Sequence, residues 1–358
     1  MGSSAYLVLE TGEIFKGEAM GAVAGTVGEL VFTTASTGYL EALTDPSYFG
    51  QIVVQAFPLI GNSGVISEAF ESEKSLLCGY IVSEWCHAPS NFRSEGSLDA
   101  FLKSRNIPGI CGIDTRALVK TIRENGVMNA CFAYSAEDAA KAAAKAKAFR
   151  IEKAVENASS SAVAAYGNDD SSRHVVLWNF GTRKSTITEL VSRSCKVTVV
   201  PYSTTAAEIL ALKPDGIMLS EGPGDPAENK EIIAQIAELC KSGMPIFGAG
   251  LGHQLLALAK GARTIKLHYG HRGANQPVKD TATNLIYITG QNQGYAVTNL
   301  PKGASHRFMN ANDYTCEGVD YSDIPAFSVQ FHPEKYIAAK DDTDIFGRFI
   351  AMIDKGVK

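Results

Sequence analysis

The pattern of apolar and polar positions divides this chain into two grammars. In the first part, AYLVLE, EIFKGEAMG, GELVFTT and QIVVQAFPLIG are short apolar runs punctuated by Gly and Thr-Gly, the signature of strands. TGYLEALTDPSY reads as a short helix that Asp-Pro ends. SLLCGYIVSEW continues the strands, while SLDAFLKSRN and DTRALVKTIREN read as helices. Strands and helices here do not alternate regularly, which predicts an α+β domain. A helix is expected from Ser135, where Ser135 and Asp138 form a loose capping box and the run Ala139 to Ala148 has high helix propensity.

After Arg173 the pattern changes. HVVLWNFG, KVTVVPY, DGIMLSEGPGDP and PIFG are strand-like, and helices are expected between and after them, over about 185–194, 204–212, 229–241 and 253–260. Strand–helix alternation of this kind predicts a doubly wound parallel sheet. Such sheets bind ligands beyond the carboxyl ends of their strands. That points to the loop after Leu219, the loop after Phe247 and the loops that the C-terminal strands deliver. Between the two grammars, residues 156–173 are small, polar and aperiodic, the composition of a linker. The expected organisation is therefore a domain over 1–155, a linker over 156–173 and a doubly wound α/β domain over 174–358.

Composition narrows the possibilities without choosing among them. A chain of 358 residues suits two domains. Its 33 basic and 38 acidic residues leave a net charge of −5, which offers no electrostatic footprint for nucleic acid or an anionic membrane. No apolar run reaches the ~20 residues of a membrane span, and no secretory leader is recognisable at the start. Seven dispersed cysteines without a CxxC pair argue against a disulfide framework or a zinc site and favour a reducing, cytoplasmic setting.

Four segments could carry chemistry. In PIFGAGLGHQLLALAKGA an apolar strand runs straight into a Gly-rich turn and an apolar helix. That is the shape of a nucleophile elbow, although such turns also bind phosphates or simply let backbones pack closely. The elbow's central position is Gly250, followed by Leu251. SEGPGDP, Ser220 to Pro226, is either a rigid turn or a loop whose N–H groups face an anion or carbonyl. In FSVQFHPEKY, His332 and Glu334 are two apart; if the strand runs through them, their side chains share a face. GQNQGYAV, with Asn292 between glycines, is a turn that could receive an amide or carboxylate.

Together and in this order, the segments resemble a class I glutamine amidotransferase domain of the triad type. The earlier stretches GELVFTTASTGYLEALTDPSYFGQIVVQAFPLIGNSG, SNFRSEGSL and ICGIDTRALVKTIRENG resemble the N-terminal domain of the small subunit of carbamoyl phosphate synthetase. With SEGPGDP, GLGHQLLALAKGA, NQPVKD and FHPE in family order, the resemblance spans nearly the whole chain. It implies glutamine hydrolysis to glutamate and ammonia by a Cys-His-Glu triad, and ammonia transfer to a large, ATP-using subunit. The histidine falls on His332 and the glutamate on Glu334, but the nucleophilic cysteine falls on Gly250. Glutamine contacts carry over to Ser47, Gly222, Gly224, Leu251, Gln254, Asn292, Gly294 and Tyr295, with Gly222 and Leu251 supplying oxyanion N–H groups. Ala249, Glu221 and Gln293 also depart from the pattern, standing where the family has Ile, Asn and His.

The resemblance thus implies the small subunit of a synthetase that makes carbamoyl phosphate, for arginine or pyrimidine synthesis, from bicarbonate, ATP and glutamine or ammonia. Its partner is the large subunit in a heterodimer, and ATP and metal belong to that subunit, with no cofactor here. Without a nucleophile its own glutaminase step is expected to be lost or strongly impaired. Two alternatives stand beside this: hydrolysis by another route, such as water attack aided by His332, or a free-standing glutamine-binding protein. Cys240 precedes the PIFG strand and is expected at the opposite end of the sheet from the elbow, so it is a poor substitute for the missing thiol.

Overall fold

The computed structural model describes residues 3–335 and 344–356. Its contacts divide the chain into two units, Met1–Ala154 and Val155–Lys358.

Among the described residues, nine strands belong to the first unit: β1 (Ser4–Leu9), β2 (Ile14–Gly21), β3 (Val27–Thr33), β4 (Gln51–Gln55), β5 (Leu59–Ile60), β6 (Gly79–Ile81), β7 (Glu84–Trp85), β8 (Pro108–Cys111) and β9 (Met128–Ala133). Seven of them close a barrel in the order β1-β2-β8-β6-β4-β3-β9. β3, β4, β6 and β8 run parallel to their neighbours within that stretch, and the remaining pairs are antiparallel. All five residues of β4 are buried, which is why QIVVQ shows no polar alternation: a strand covered on both faces has none to show. Leu30, Ile52, Val54 and Ile110 pack in one cluster, whereas Val31, Val53 and Tyr80 pack in another with Leu40, Leu43 and Leu102 from helices Tyr39–Thr44 and Leu98–Ser104. The Ala-rich helix runs Ala136–Ala148; the Ser135 hydroxyl accepts the Asp138 N–H at 3.0 Å, and Ala139, Ala142 and Ala146 bury against Val8 and Cys131.

The second unit holds a ten-stranded sheet built from β10 (Ala164–Tyr166), β11 (Arg173–Asn179), β12 (Cys195–Pro201), β13 (Gly216–Leu219), β14 (Ile246–Ala249), β15 (Arg263–Asp280), β16 (Ile286–Thr298), β17 (Ala304–Asn310), β18 (Cys316–Tyr321) and β19 (Ala326–Val329). The order is β10-β12-β11-β13-β14-β19-β18-β16-β15-β17. From β12 to β19 the strands are parallel; β18, β16, β15 and β17 extend the sheet antiparallel. Successive residues of a strand face opposite ways, and the two faces bury separate cores. Val176, Trp178, Ile217 and Leu219 pack with Ile236 and Leu255 of helices Lys230–Leu239 and Leu251–Ala259. Val175, Leu177, Met218 and Phe247 pack with Leu190 and Phe349 of helices Lys184–Ser192 and Ile345–Gly356. This is the doubly wound layering that the sequence pattern predicts. The Phe247 ring stacks on Phe327 at 4.8 Å between centroids and meets Phe349 at 5.6 Å.

Residues 156–173, expected as a linker, carry structure. The helix Ala154–Ala158 enters them, and β10 adds antiparallel to β12, with Ala164 opposite Val199 and Tyr166 opposite Val197. The composition is loop-like, but the unpaired edge of β12 supplies the hydrogen bonds that order the segment. Among the described residues no helix is long and apolar enough to cross a membrane.

Candidate functional site

The site lies at the carboxyl ends of the parallel strands, where a doubly wound sheet places ligands. β14 and β19 are neighbours with Ala249 opposite Val329, so Gly250 and the segment Gln330–Glu334 leave the same edge of the sheet.

The turn after β14 is sharp. Gly250 has φ 55° and ψ −114° and the helix begins at Leu251. That backbone conformation strains any residue with a side chain by about 1–3 kcal/mol, and glycine adopts it freely. Flanking glycines make the crossing tight: a Cβ on Gly252 would lie 2.2 Å from the Leu219 carbonyl oxygen, and one on Gly248 2.8 Å from that of Gly252. Gly250 N–H donates to Val329 O at 3.0 Å and Gly252 N–H to Ser220 O at 2.9 Å. Leu251 is the first helical residue, so its N–H has no partner within the helix. The arrangement is an elbow with no nucleophile on it.

The loop after β13 is pinned from inside. The Ser220 hydroxyl accepts the Phe180 N–H at 2.9 Å and donates to the Glu221 carbonyl at 2.8 Å. Gly222 passes so close to Phe180 that a Cβ there would sit 2.5 Å from its carbonyl oxygen and 2.9 Å from Leu251 Cδ2. This close approach brings the Gly222 backbone against Leu251.

His332 and Glu334 do not lie on a continued strand. β19 stops at Val329, His332 N–H donates to Gly290 O at 2.9 Å, and Glu334 sits in the 3₁₀ turn Pro333–Lys335. Pro333, between the two residues, has no N–H for a ladder, so no continuous ladder runs through the pair. The turn still brings the side chains together, with His332 Nδ1 4.0 Å from Glu334 Oε1, beyond hydrogen-bond reach. The same oxygen accepts Arg183 Nη1 at 2.6 Å and the Ser185 hydroxyl at 3.3 Å. Arg183 and Glu334 side chains are 1% and 3% exposed, so this is a buried ion pair.

Glu221 is the second buried carboxyl. Thr186 donates its hydroxyl to Oε1 at 2.7 Å, and Oε2 is buried with no hydrogen-bond partner among the described residues. Burial first, and the neighbouring Glu334 second, push its pKa up to about 8, with Thr186 and Arg183 acting against them. The loop and helix start Arg183–Thr186 therefore hold both acids. Sequence reasoning missed Arg183 and Thr186; their signal was their position just after β11, another parallel strand whose carboxyl end opens on the site.

Beside the elbow helix, Gln254 Nε2 donates to Tyr295 O at 2.9 Å and to Gln330 Oε1 at 2.8 Å. This ties one expected ligand contact to another. Asn292 lies opposite Arg272 in the β15–β16 pair, and its Nδ2 is buried with no hydrogen-bond partner among the described residues. The segment Gly290–Val297, expected as a turn, lies within strand β16 and pairs with β15; a Cβ on Gly294 would stand 3.3 Å from Arg272 Nη2, so the buried Arg272 guanidinium flanks this stretch of the strand. Gln293 turns the other way, with Nε2 3.4 Å from both Glu317 oxygens and from His271 Nδ1. His271 Nε2 contacts Asp313 Oδ2 at 2.8 Å. Burial opposes its charge, but Glu317 and Asp313 outweigh burial and hold its pKa above the ordinary imidazole value.

Gly224, at φ +91°, forms the far side of the β13 loop. Ser47 belongs to the first unit, in the 3₁₀ turn Pro46–Tyr48, where its N–H donates to Asp45 Oδ1 at 2.8 Å. Cys240 ends the helix before β14, with Lys260 and Asp323 as its charged neighbours, and burial pushes its thiol up to about 11. Lys260 closes the helix that Gly250 opens, about 15 Å away at 1.5 Å per residue.

Comparison with known proteins gives the same division. Residues 7–132 match the family described as carbamoyl-phosphate synthase small chain, CPSase domain, and residues 176–352 match glutamine amidotransferase class-I. The chain is 45% identical over 349 residues to the carbamoyl phosphate synthase pyrimidine-specific small chain of Bacillus subtilis (strain 168), covering 97% of this chain and 95% of that one. It is 46% identical over 359 residues to the carbamoyl phosphate synthase small chain of Fusobacterium nucleatum subsp. nucleatum, covering 98% and 99%. A Lactococcus lactis subsp. cremoris small chain is 44% identical, over 98% of this chain and 99% of its own length.

Proposed function

The chain belongs to the carbamoyl phosphate synthase small-chain family and carries its glutamine amidotransferase domain; from that premise we propose that it serves a large synthetase chain without hydrolysing glutamine itself. The observation that carries the reading is Gly250 at the elbow, at φ 55° and ψ −114°. A thioester to glutamine cannot form on a residue with no side chain. In a comparable triad, loss of the nucleophile costs about 10⁶ in turnover, roughly 8 kcal/mol of barrier. His332 then has no thiol to deprotonate, and Glu334 is engaged by Arg183 at 2.6 Å.

The groups that would hold glutamine are those without a part in bond-making. Gly222 and the Leu251 N–H at the helix start face a carbonyl oxygen. Gln254, Asn292, Gly294 and Tyr295 form the wall for the amino-acid end. Glutamine is thus a retained ligand rather than a substrate. The large chain receives ammonia from solution, and ATP and its metal ion belong to that chain.

The test is co-expression of this chain with the large chain of the same organism, followed by carbamoyl phosphate synthesis from ammonia and from glutamine in parallel. Synthesis from ammonia, dependence on the small chain for full activity, and no glutamate release are expected. Glutamate released in proportion to carbamoyl phosphate would overturn the reading, as would failure of the two chains to co-elute at micromolar concentration.

A further inference from the structure

We propose that Glu221 is a positioning residue that independently closes this pocket to thiolate chemistry, so that the loss of the nucleophile is only one of two built-in blocks. The inference rests on the reading above and deepens it.

The geometry is direct. A Cβ at position 250 would stand 3.4 Å from each of Glu221 Cα, Cβ and Cγ. A side chain placed on the elbow therefore lies along the Glu221 side chain, and a sulfur one bond further out is within reach of its carboxyl. That carboxyl is buried and keeps one oxygen, Oε2, without a hydrogen-bond partner among the described residues, while the other is taken by Thr186. Once ionised, a buried carboxylate oxygen that lacks a donor recruits the nearest one. A thiol on residue 250 is that donor, and a hydrogen bond to the S–H holds the thiol in its protonated form.

Charge counting leads the same way. Glu221, from the loop after β13, and Glu334, from the 3₁₀ turn, are two buried acids near one permanent cation, Arg183, which pairs with Glu334. One carboxyl must keep its proton for the cluster to stay neutral, and Glu221, with its pKa raised to about 8, is that carboxyl. The imidazole of His332 also lies in this cluster, 4.0 Å from Glu334. Above about pH 8, where a thiol ordinarily ionises, Glu221 has given up that proton, and a thiolate would add a third negative centre beside the two carboxylates. At about 5 Å from a carboxylate and an effective dielectric near 20, like charges raise a thiol's ionisation midpoint by about two pH units. The amide that the family carries at this loop position has no charge to repel a thiolate.

Three variants separate the two blocks: Gly250→Cys, Gly250→Cys with Glu221→Asn, and Gly250→Cys with Glu221→Gln. The primary readout is the rate of iodoacetamide alkylation at position 250 against pH, located by peptide mass. The single variant is expected to show a midpoint about two pH units above that of either double variant. Equal midpoints in single and double variants would overturn the proposal. A second measurement needs no residue 250 variant: infrared spectra of the unmodified chain should show a protonated-carboxyl C=O band that disappears around pH 8 and is absent from Glu221→Gln. Absence of that band from the unmodified chain would also overturn it. Glutamine hydrolysis by the unmodified chain with its large chain would instead overturn the reading on which this one rests, so the two failures are distinct.

Discussion

Replacing Arg183 with Met tests whether the acids of this site are held by one buried cation. The Arg183 and Glu334 side chains are 1% and 3% exposed and meet at 2.6 Å, so the pair is in the buried regime, where removing one partner costs about 3–5 kcal/mol because the other charge is left uncompensated. Exposed pairs such as Lys141–Glu137, 68% and 81% exposed, are worth about 1 kcal/mol or less. For a unit of roughly 200 residues, a loss of 3–5 kcal/mol lowers Tm by about 6–20 °C. The assay is thermal melting of Arg183→Met, Glu334→Gln and the double variant at pH 7.5. Each single variant should melt well below the unmodified chain. The double variant should recover at least about 2 kcal/mol of the summed loss, since neither charge is then left alone. Arg183→Met should also regain stability on mild acidification, because protonation relieves the stranded Glu334 carboxylate. An Arg183→Met chain that melts within about 2 °C of the unmodified one, or a double variant with strictly additive losses, would refute the reasoning.

Three further outcomes are expected. Glu221 has a folded pKa of about 8 against an ordinary 4.5, so the folded state holds a proton that the unfolded state releases between those values; its stabilising contribution is complete below about pH 4.5 and falls as pH rises through 8, and denaturant titrations should show that slope weakened in Glu221→Gln. Gly250→Ala should cost about 1–3 kcal/mol through backbone strain alone, since its Cβ meets nothing closer than 3.4 Å; a neutral result in chemical denaturation would contradict the reading of φ 55° and ψ −114°. Phe349→Ala removes a fully buried ring that touches Phe247 at 5.6 Å between centroids and should cost about 3–5 kcal/mol, measured by urea unfolding.

The alternation of strands and helices after Arg173 was legible because each parallel strand is buried on both faces and reads as an unbroken apolar run, as in VVLW and GIML. The antiparallel half was not read in that detail. β15 carries exposed and half-buried residues over most of its length and shifts register twice against β16, so neither period stands out. The elbow was visible as a Gly-rich strand-to-helix turn, whereas the expectation of a cysteine at Gly250 came from the family resemblance alone. The partner of Glu334 was not visible, because Arg183 comes from a loop about 150 residues away in sequence and spacing carries no trace of that pairing. His332 and Glu334 were expected to share a face if the strand ran through them; instead the strand stops at Val329 and only Glu334 lies in the proline-started 3₁₀ turn.

The short strand β10 has a consequence for how the second unit survives by itself. β12 would otherwise border solvent with a row of unpaired N–H and C=O groups, flanked by Val197, Val199 and Val200. Such an edge is a template for pairing with another chain. Ala164–Tyr166 occupies it and then ends at Gly167 and Asn168, with Asp169 and Asp170 following. Segment 156–173 is thus a selvedge on the sheet, guarding it against edge-to-edge association. An amidotransferase unit cut at Arg173 would keep the elbow, His332 and Glu334 and expose that edge; one that begins at Val155 keeps it bound.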